Sequence, residues 1–260
     1  MLTVLSDDVL LDIAHEALTQ KHWVGVLLHG SRAQGHSDSN SDIDLIYLVN
    51  DRRQYSYSRR IRNIEVDLYA ASARFFERAL ETDRKNNNNF LLYAFATGRE
   101  LSASTDMLRR LMRKAKVIWQ RGPIPASFAE KKSLAEASIK SCVSAHRRIS
   151  RIGLSPEWRE MATIECSVSF QRMLYGYCRA YGLWSLALSE MWRWPDLRYA
   201  EINSLSRTYL SAGCFEEKVC VLDEMSKAIL RSCEPSNNNH ASATVALHES
   251  IPSMALNTAS

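Results

Sequence analysis

His29-Gly30-Ser31-Arg32-Ala33-Gln34-Gly35-His36-Ser37-Asp38-Ser39-Asn40-Ser41-Asp42-Ile43-Asp44-Leu45 is the stretch whose reading decides the fold. The run before it, Val24-Gly25-Val26-Leu27-Leu28, is apolar, rich in β-branched and aliphatic residues, and too short for a helix. It ends on a Gly-Ser pair and reads as a buried strand. The run after it, Ile43-Asp44-Leu45-Ile46-Tyr47-Leu48-Val49, reads as a second strand with a carboxylate inside it. Strand side chains alternate between faces, so Asp42 and Asp44 share one face while Ile43 and Leu45 take the other.

Two carboxylates held side by side on a half-buried strand repel, and one of them is pushed towards its neutral form unless a cation sits between them. A divalent metal resolves that conflict, and oxygen-only ligands suit Mg²⁺, which binds through one or two carboxylates and the phosphates of a substrate. Gly30 permits a tight turn with backbone close to a ligand, and the Ser31 hydroxyl with the amides beyond it offers a seat for phosphate oxygens. The next β-rich run, Ile64-Glu65-Val66-Asp67-Leu68-Tyr69, supplies a third acid at Asp67. If the two runs form an antiparallel hairpin in which Asp44 faces Asp67, the turn falls between Tyr55 and Ser56. That lies inside the polar link Asp51 to Arg60, which then reads as a solvated hairpin tip remote from the chemistry.

Gly30-Ser31, a short loop, Ser41-Asp42-Ile43-Asp44-Leu45 and then a lone Asp67 on a following strand together resemble the nucleotidyltransferases of the DNA polymerase β superfamily, in particular the minimal and aminoglycoside-type members. The resemblance covers Val24 to Leu68. It implies an α/β nucleotidyltransferase domain, a small mixed sheet with flanking helices, followed by a C-terminal all-α helical bundle. It implies transfer of a nucleoside monophosphate, AMP from ATP in the first instance, to a hydroxyl with release of pyrophosphate. In that scheme Asp42, Asp44 and Asp67 are the catalytic and metal-binding acids for two Mg²⁺ ions, and Gly30, Ser31 and Ser41 are the nucleotide-binding positions. The general base is then Asp67 or a glutamate of the helical part, for which Glu136, Glu160 and Glu165 are candidates. The acceptor the resemblance favours is a small hydroxylated molecule of the aminoglycoside kind. Protein AMPylation of the antitoxin type and a non-catalytic nucleotide-binding module are the alternatives.

Composition sets the outer limits. A chain of 260 residues with an ordinary apolar fraction has room for one or two globular domains. The formal charge of +4 is compatible with a triphosphate ligand but does not form the strongly basic signature of a nucleic-acid-binding protein. There is no apolar run of roughly 18 residues, and Asp7 and Asp8 stand where a signal peptide would be basic and then apolar, so a cytoplasmic protein without membrane contact is expected. The six cysteines show no Cys-x-x-Cys and no metal-ligand spacing, and are expected to be free thiols rather than a zinc site.

Outward from the central stretch, Val9, Leu10, Ile13, Ala14 and Leu18 recur at helical spacing behind Ser6 as N-cap. Helices are also expected over Ala71 to Asp83, Phe90 to Thr97 and Met107 to Gln120. Asn86-Asn87-Asn88-Asn89 reads as a loop without chemistry and Thr97-Gly98-Arg99 as a helix stop. Gly122-Pro123-Ile124-Pro125 marks a boundary, giving a nucleotidyltransferase domain over 1–121 and a helical bundle over 122–234. The bundle helices are read over Glu130 to Ile152, Pro156 to Tyr181, Tyr199 to Ser211 and Glu216 to Ser232, with Trp184, Trp192 and Trp194 as a packing cluster between them. From 235 to 260 the chain is rich in Asn, Ser, Ala and Thr and reads as a disordered tail.

Overall fold

The apolar and alternating runs of the first hundred residues become a five-stranded mixed sheet in the computed structural model, which describes residues 5–19, 23–87, 89–103, 105–153, 155–193 and 197–234. The strands are β1 (Trp23–His29), β2 (Ile43–Val49), β3 (Tyr55–Ile61), β4 (Ile64–Ala71) and β5 (Arg99–Ala103), in the order β3-β4-β2-β1-β5. β1 is antiparallel to β2 and β5, β3 is antiparallel to β4, and β2 and β4 are parallel.

That last pairing corrects the expected hairpin. Asp44 does face Asp67, but between strands running the same way. The link read as a hairpin tip contains its own period-two pattern, Tyr55-Ser56-Tyr57-Ser58-Arg59-Arg60-Ile61, and forms the edge strand β3. The true hairpin joins β3 to β4 through Arg62 and Asn63, whose φ values of 49° and 65° are those a tight two-residue turn requires. The segment Asn50 to Gln54 only has to cross two interstrand spacings, about 10 Å.

The alternation of side chains divides the core in two. Val26, Leu28, Leu45, Tyr47, Val66 and Leu68 face helix α1 (Asp7–Ala17), which buries Leu10, Ile13, Ala14 and Ala17 against them. Ser6 accepts a hydrogen bond from the Val9 amide and caps the helix as expected. At its other end the Tyr57 hydroxyl donates to the Ala17 carbonyl (2.9 Å) and the Arg59 guanidinium to the Glu16 carbonyl (3.1 Å). Part of the basic-aromatic run of the link thus satisfies the orphan carbonyls at a helix C-terminus, where positive charge is also favoured.

The opposite face of the sheet, with Leu27, Ile46, Leu48 and Ala71, is covered by α3 (Ala73–Asn86), α4 (Phe90–Thr97) and α5 (Met107–Arg121). The same apolar cluster continues without a break into the helices after Gly122, through Cys142 of α6 (Phe128–Ile149), Phe170 and Tyr177 of α7 (Pro156–Ala180) and Leu222 of α10 (Phe215–Arg231). α6, α7 and α10 pack on one another, and the short α8 (Leu188–Arg193) and α9 (Ala200–Ser211) complete the bundle. α6 opens on a capping box in which Ser127 and Glu130 exchange hydrogen bonds, and Glu130 also pairs with Arg179 of α7. Trp184 stacks on Trp119 of α5 at 4.8 Å and nearly parallel, the packing role expected of it. Trp192 donates to the Ser206 hydroxyl, while Trp194 and the tail 235–260 lie outside the described residues. Among the described residues no helix is long and apolar enough to cross a membrane.

The asparagine run is not inert. Asn87 ends α3 in the left-handed conformation (φ 53°, ψ 25°), is buried, and its amide donates to the Leu183 carbonyl (3.0 Å) and the Ser185 hydroxyl (3.1 Å) of the segment after α7. Asn87→Gly keeps the left-handed backbone but loses both bonds, and its expected cost is about 1–3 kcal/mol. Asn87→Ala adds about 1–2 kcal/mol for placing a Cβ in that conformation. Urea unfolding of the two variants checks the order, and equal midpoints would remove the backbone contribution.

Candidate active site

Strand register builds the site. His29 on β1 pairs with Asp44 on β2, Asp44 with Asp67 on β4, and Asp67 with Ser58 on β3. Residues directly opposite across a ladder project from the same face. The four side chains therefore form one row across four strands, on the face that also carries Leu27 and Ile46. Asp42, two residues before Asp44, joins the row from the end of the preceding loop. Carboxylate oxygens of Asp42, Asp44 and Asp67 lie within 4.8 Å of one another, and all three residues are half-buried.

The turn after β1 is shaped around this row. Gly30 begins the single helical turn α2 (Gly30–Ala33) at φ 69°, in the left-handed region that favours glycine. A Cβ added there would overlap the Asp44 Oδ2 atom, so the backbone of Gly30 lies directly against the acid. Ser31 stands beside it, half-buried, its hydroxyl making no hydrogen bond to a described residue. The Ser31 carbonyl accepts from the His36 amide at 2.9 Å.

The loop between the turn and β2 is held by a residue the sequence reading passed over. Arg32 donates from Nε to the Asp42 carbonyl (2.8 Å) and from its terminal nitrogen to the Ser41 carbonyl. Ser41 itself is occupied within the loop: its hydroxyl donates to Asp38 Oδ1 (3.1 Å) and accepts from the Asp38 amide (2.9 Å). The Asp38 carboxylate also accepts from the Asn40 amide (2.8 Å), the first cause of a carboxyl held below its ordinary range. On the far side of the row the Ser58 hydroxyl donates to Asp67 Oδ1, fixing that carboxylate from the edge strand.

Electrostatics single out Asp44. Burial first, and then the charges of Asp42 and Asp67, push its carboxyl up to about 6. Its neighbour His29, buried and edge-on to Phe90 at 5.7 Å, is pushed down to about 4 by burial, partly offset by Asp67. A neutral imidazole at pH 7 brings no positive charge of its own to the three acids. An all-oxygen donor set, a carboxylate that resists ionising alone, and a bare backbone against it fit a divalent cation such as Mg²⁺.

The glutamates expected from the helical part stand elsewhere. Glu136 and Glu160 are exposed on α6 and α7, Glu165 is half-exposed on α7, and none joins the carboxylate cluster. The helical glutamate that does reach the turn is Glu190 of α8. Its Oε2 accepts from the Tyr93 hydroxyl (2.5 Å), which accepts from Gln34 Nε2 (2.8 Å) at the end of α2. No spacing within the sequence signals that chain, because its members are 59 and 97 positions apart.

Two opposed titrations follow from the row. Unfolded, Asp44 loses its proton near pH 4, whereas folded it holds it to about 6. Between those values the folded chain binds more protons through Asp44, so this group lowers stability as pH rises from 4 to 6. His29 acts in the other direction over the same window, since its folded value of about 4 lies below the unfolded one. Comparing wild type with Asp44→Asn cancels the histidine. In EDTA the two should melt together near pH 4, and by pH 7 the variant should be more stable by about 1–2 kcal/mol after solvent screening. A variant less stable at pH 7 would make Asp44 a structural partner instead.

No family model matches the sequence, and no curated protein matches it. Among solved structures the chain is similar to a nucleotidyltransferase-like protein from Exiguobacterium sibiricum, at 13% identity over 87% of this chain and 76% of that chain, with a TM-score of 0.44.

Proposed function

We propose that the chain is a Mg²⁺-dependent nucleotidyltransferase that moves a nucleoside monophosphate from a nucleoside triphosphate, ATP first, to a hydroxyl of a small hydroxylated acceptor. The observation that carries this reading is the convergence of Asp42, Asp44 and Asp67 beside the side-chain-free backbone of Gly30. Asp42, Asp44 and Asp67 would hold the metal, which when bound neutralises triphosphate charge and steadies the leaving pyrophosphate.

The chain's own residues do the rest by positioning. The acceptor oxygen attacks the α-phosphorus, the bond from that phosphorus to the bridging oxygen of the β-phosphate breaks, and pyrophosphate leaves. Asp67 takes the hydroxyl proton on Oδ2, because Ser58 already occupies Oδ1. The Ser31 hydroxyl and the Gly30 turn receive the β and γ phosphates. Arg32 keeps Asp42 in place from behind, through carbonyls rather than through the carboxylate, so the acid remains free to bind.

Pyrophosphate release from each nucleoside triphosphate, with and without Mg²⁺, tests the reaction against a panel of aminoglycosides, other polyols and candidate protein acceptors. Turnover should require the metal and an acceptor, and Asp42→Asn, Asp44→Asn and Asp67→Asn should each lower it by about 10²–10³-fold or more. Nucleotide binding without turnover on any acceptor would leave a binding module, and transfer only to protein would replace the small acceptor.

Two binding measurements separate the roles. Mg²⁺ with ATP should raise the wild-type melting temperature by mass action, and Asp44→Asn should lose most of that increment. Ser31→Ala should weaken nucleotide binding by about 1–3 kcal/mol in calorimetry, as expected for loss of a charge-assisted hydrogen bond. An unchanged affinity would take Ser31 out of the phosphate seat.

A further inference from the structure

Helix α7 buries Ala162, Cys166, Phe170, Met173 and Tyr177 in the bundle and carries a second apolar stripe on its opposite side. Met161, Ile164, Val168 and Tyr175 are 36–64% exposed, Ile164 the most, and the Tyr175 hydroxyl donates to the Asn86 carbonyl at the end of α3. Their spacings of three, four and seven residues follow a heptad seam, with Gln171 at the one polar position. From Met161 to Tyr175 the stripe runs about 21 Å along the helix. A solvent-facing helix surface is ordinarily polar, and a sustained apolar seam on one is the mark of a partner helix.

The flanking charges identify the partner. Glu165 and Arg172 occupy the same flank of the seam one heptad apart, and neither makes an ion pair with a described residue. In a parallel pair of α7 helices, Glu160 on the other flank would meet Glu165 of the second helix, and like charges would repel. In an antiparallel pair, Glu165 meets Arg172 of the second helix and Arg172 meets its Glu165. The same register sets Ile164 against the second helix's Tyr175 and Val168 against its Gln171. The seam is self-complementary in one orientation only.

We propose that the chain forms a two-fold symmetric dimer through antiparallel contact of its two α7 helices. The seam is short, so the association is of the weak class, populated at about 100 µM protein rather than at nanomolar concentrations. The active-site row is on the sheet and takes no part in this contact, so the dimer stands or falls separately from the proposed reaction.

Sedimentation equilibrium of the full chain tests it. Wild type should shift with concentration from 29.6 kDa towards twice that mass. Ile164→Lys should weaken association by about tenfold or more, with an unchanged melting temperature showing that the fold survives. Glu165→Arg places like charges at both symmetric contacts and should also dissociate the dimer, whereas Glu165→Arg with Arg172→Glu restores opposite charges and should recover it. The proposal is overturned by a wild type that stays monomeric, which would leave the stripe to another occupant. It is equally overturned by a dimer that Ile164→Lys leaves intact, or by a double charge reversal that does not rescue.

Discussion

The parallel pairing of β2 with β4 is the constraint on which the rest of the molecule depends. It sets Asp44 against Asp67 in the ladder, and every other feature of the site is arranged around the two carboxylates that result. A one-residue slip would turn Asp67 to the face packed on α1, into an apolar layer where an ionised group has no partner. The register is protected by burial, since the same slip would turn Val66 and Leu68 out of that layer. Hydrophobic burial therefore holds in place a polar arrangement that is unfavourable by itself.

That arrangement is a local conflict tolerated by a well-formed frame. Acids crowd one another, a buried imidazole stays neutral beside them, and a glycine in a left-handed conformation lets the main chain press on a carboxylate. Each of these opposes folding a little, and together they leave a place where a cation and its anionic ligand lower the energy. The surrounding structure shows the opposite habit. Arg32, Ser58 and Asn87 are each engaged with specific partners: Arg32 and Ser58 hold backbone and carboxylate positions at the conflicted row, and Asn87 ties the end of α3 to the segment after α7.

Most of the helices and the inner strands were legible in the sequence because burial has a period, and Ser6, Gly98 and the Gly122 to Pro125 segment marked element ends through familiar local chemistry. The strand direction was not legible. Asp44 facing Asp67 satisfies the same one-to-one pairing whether the strands run together or opposed, and only the alternation of Tyr55 to Ile61 with the Arg62-Asn63 turn distinguishes the two. β5 escaped notice because it is short and half-exposed along its whole length, so it has neither an apolar run nor a clean alternation. In the site, the three acids could be read from strand spacing, whereas Glu190 could not. It comes to the turn through Tyr93 from a helix on the far side of the bundle boundary, and such a contact belongs to tertiary packing alone.

Arg32 has a consequence for how this chain tolerates change. By gripping the carbonyls of Ser41 and Asp42 it joins the end of the loop to its beginning, and Asp38 with Ser41 closes a smaller ring inside it. The exposed tip at Gly35 and His36 lies within the larger closure and outside the smaller ring, with open space around Gly35. Residues inserted at that tip lengthen a bulge whose two ends are already fastened, at little entropic cost per added residue. The approach to the acids is thus a place where the chain can grow new specificity, or accept a grafted peptide, while the position of Asp42 stays the same.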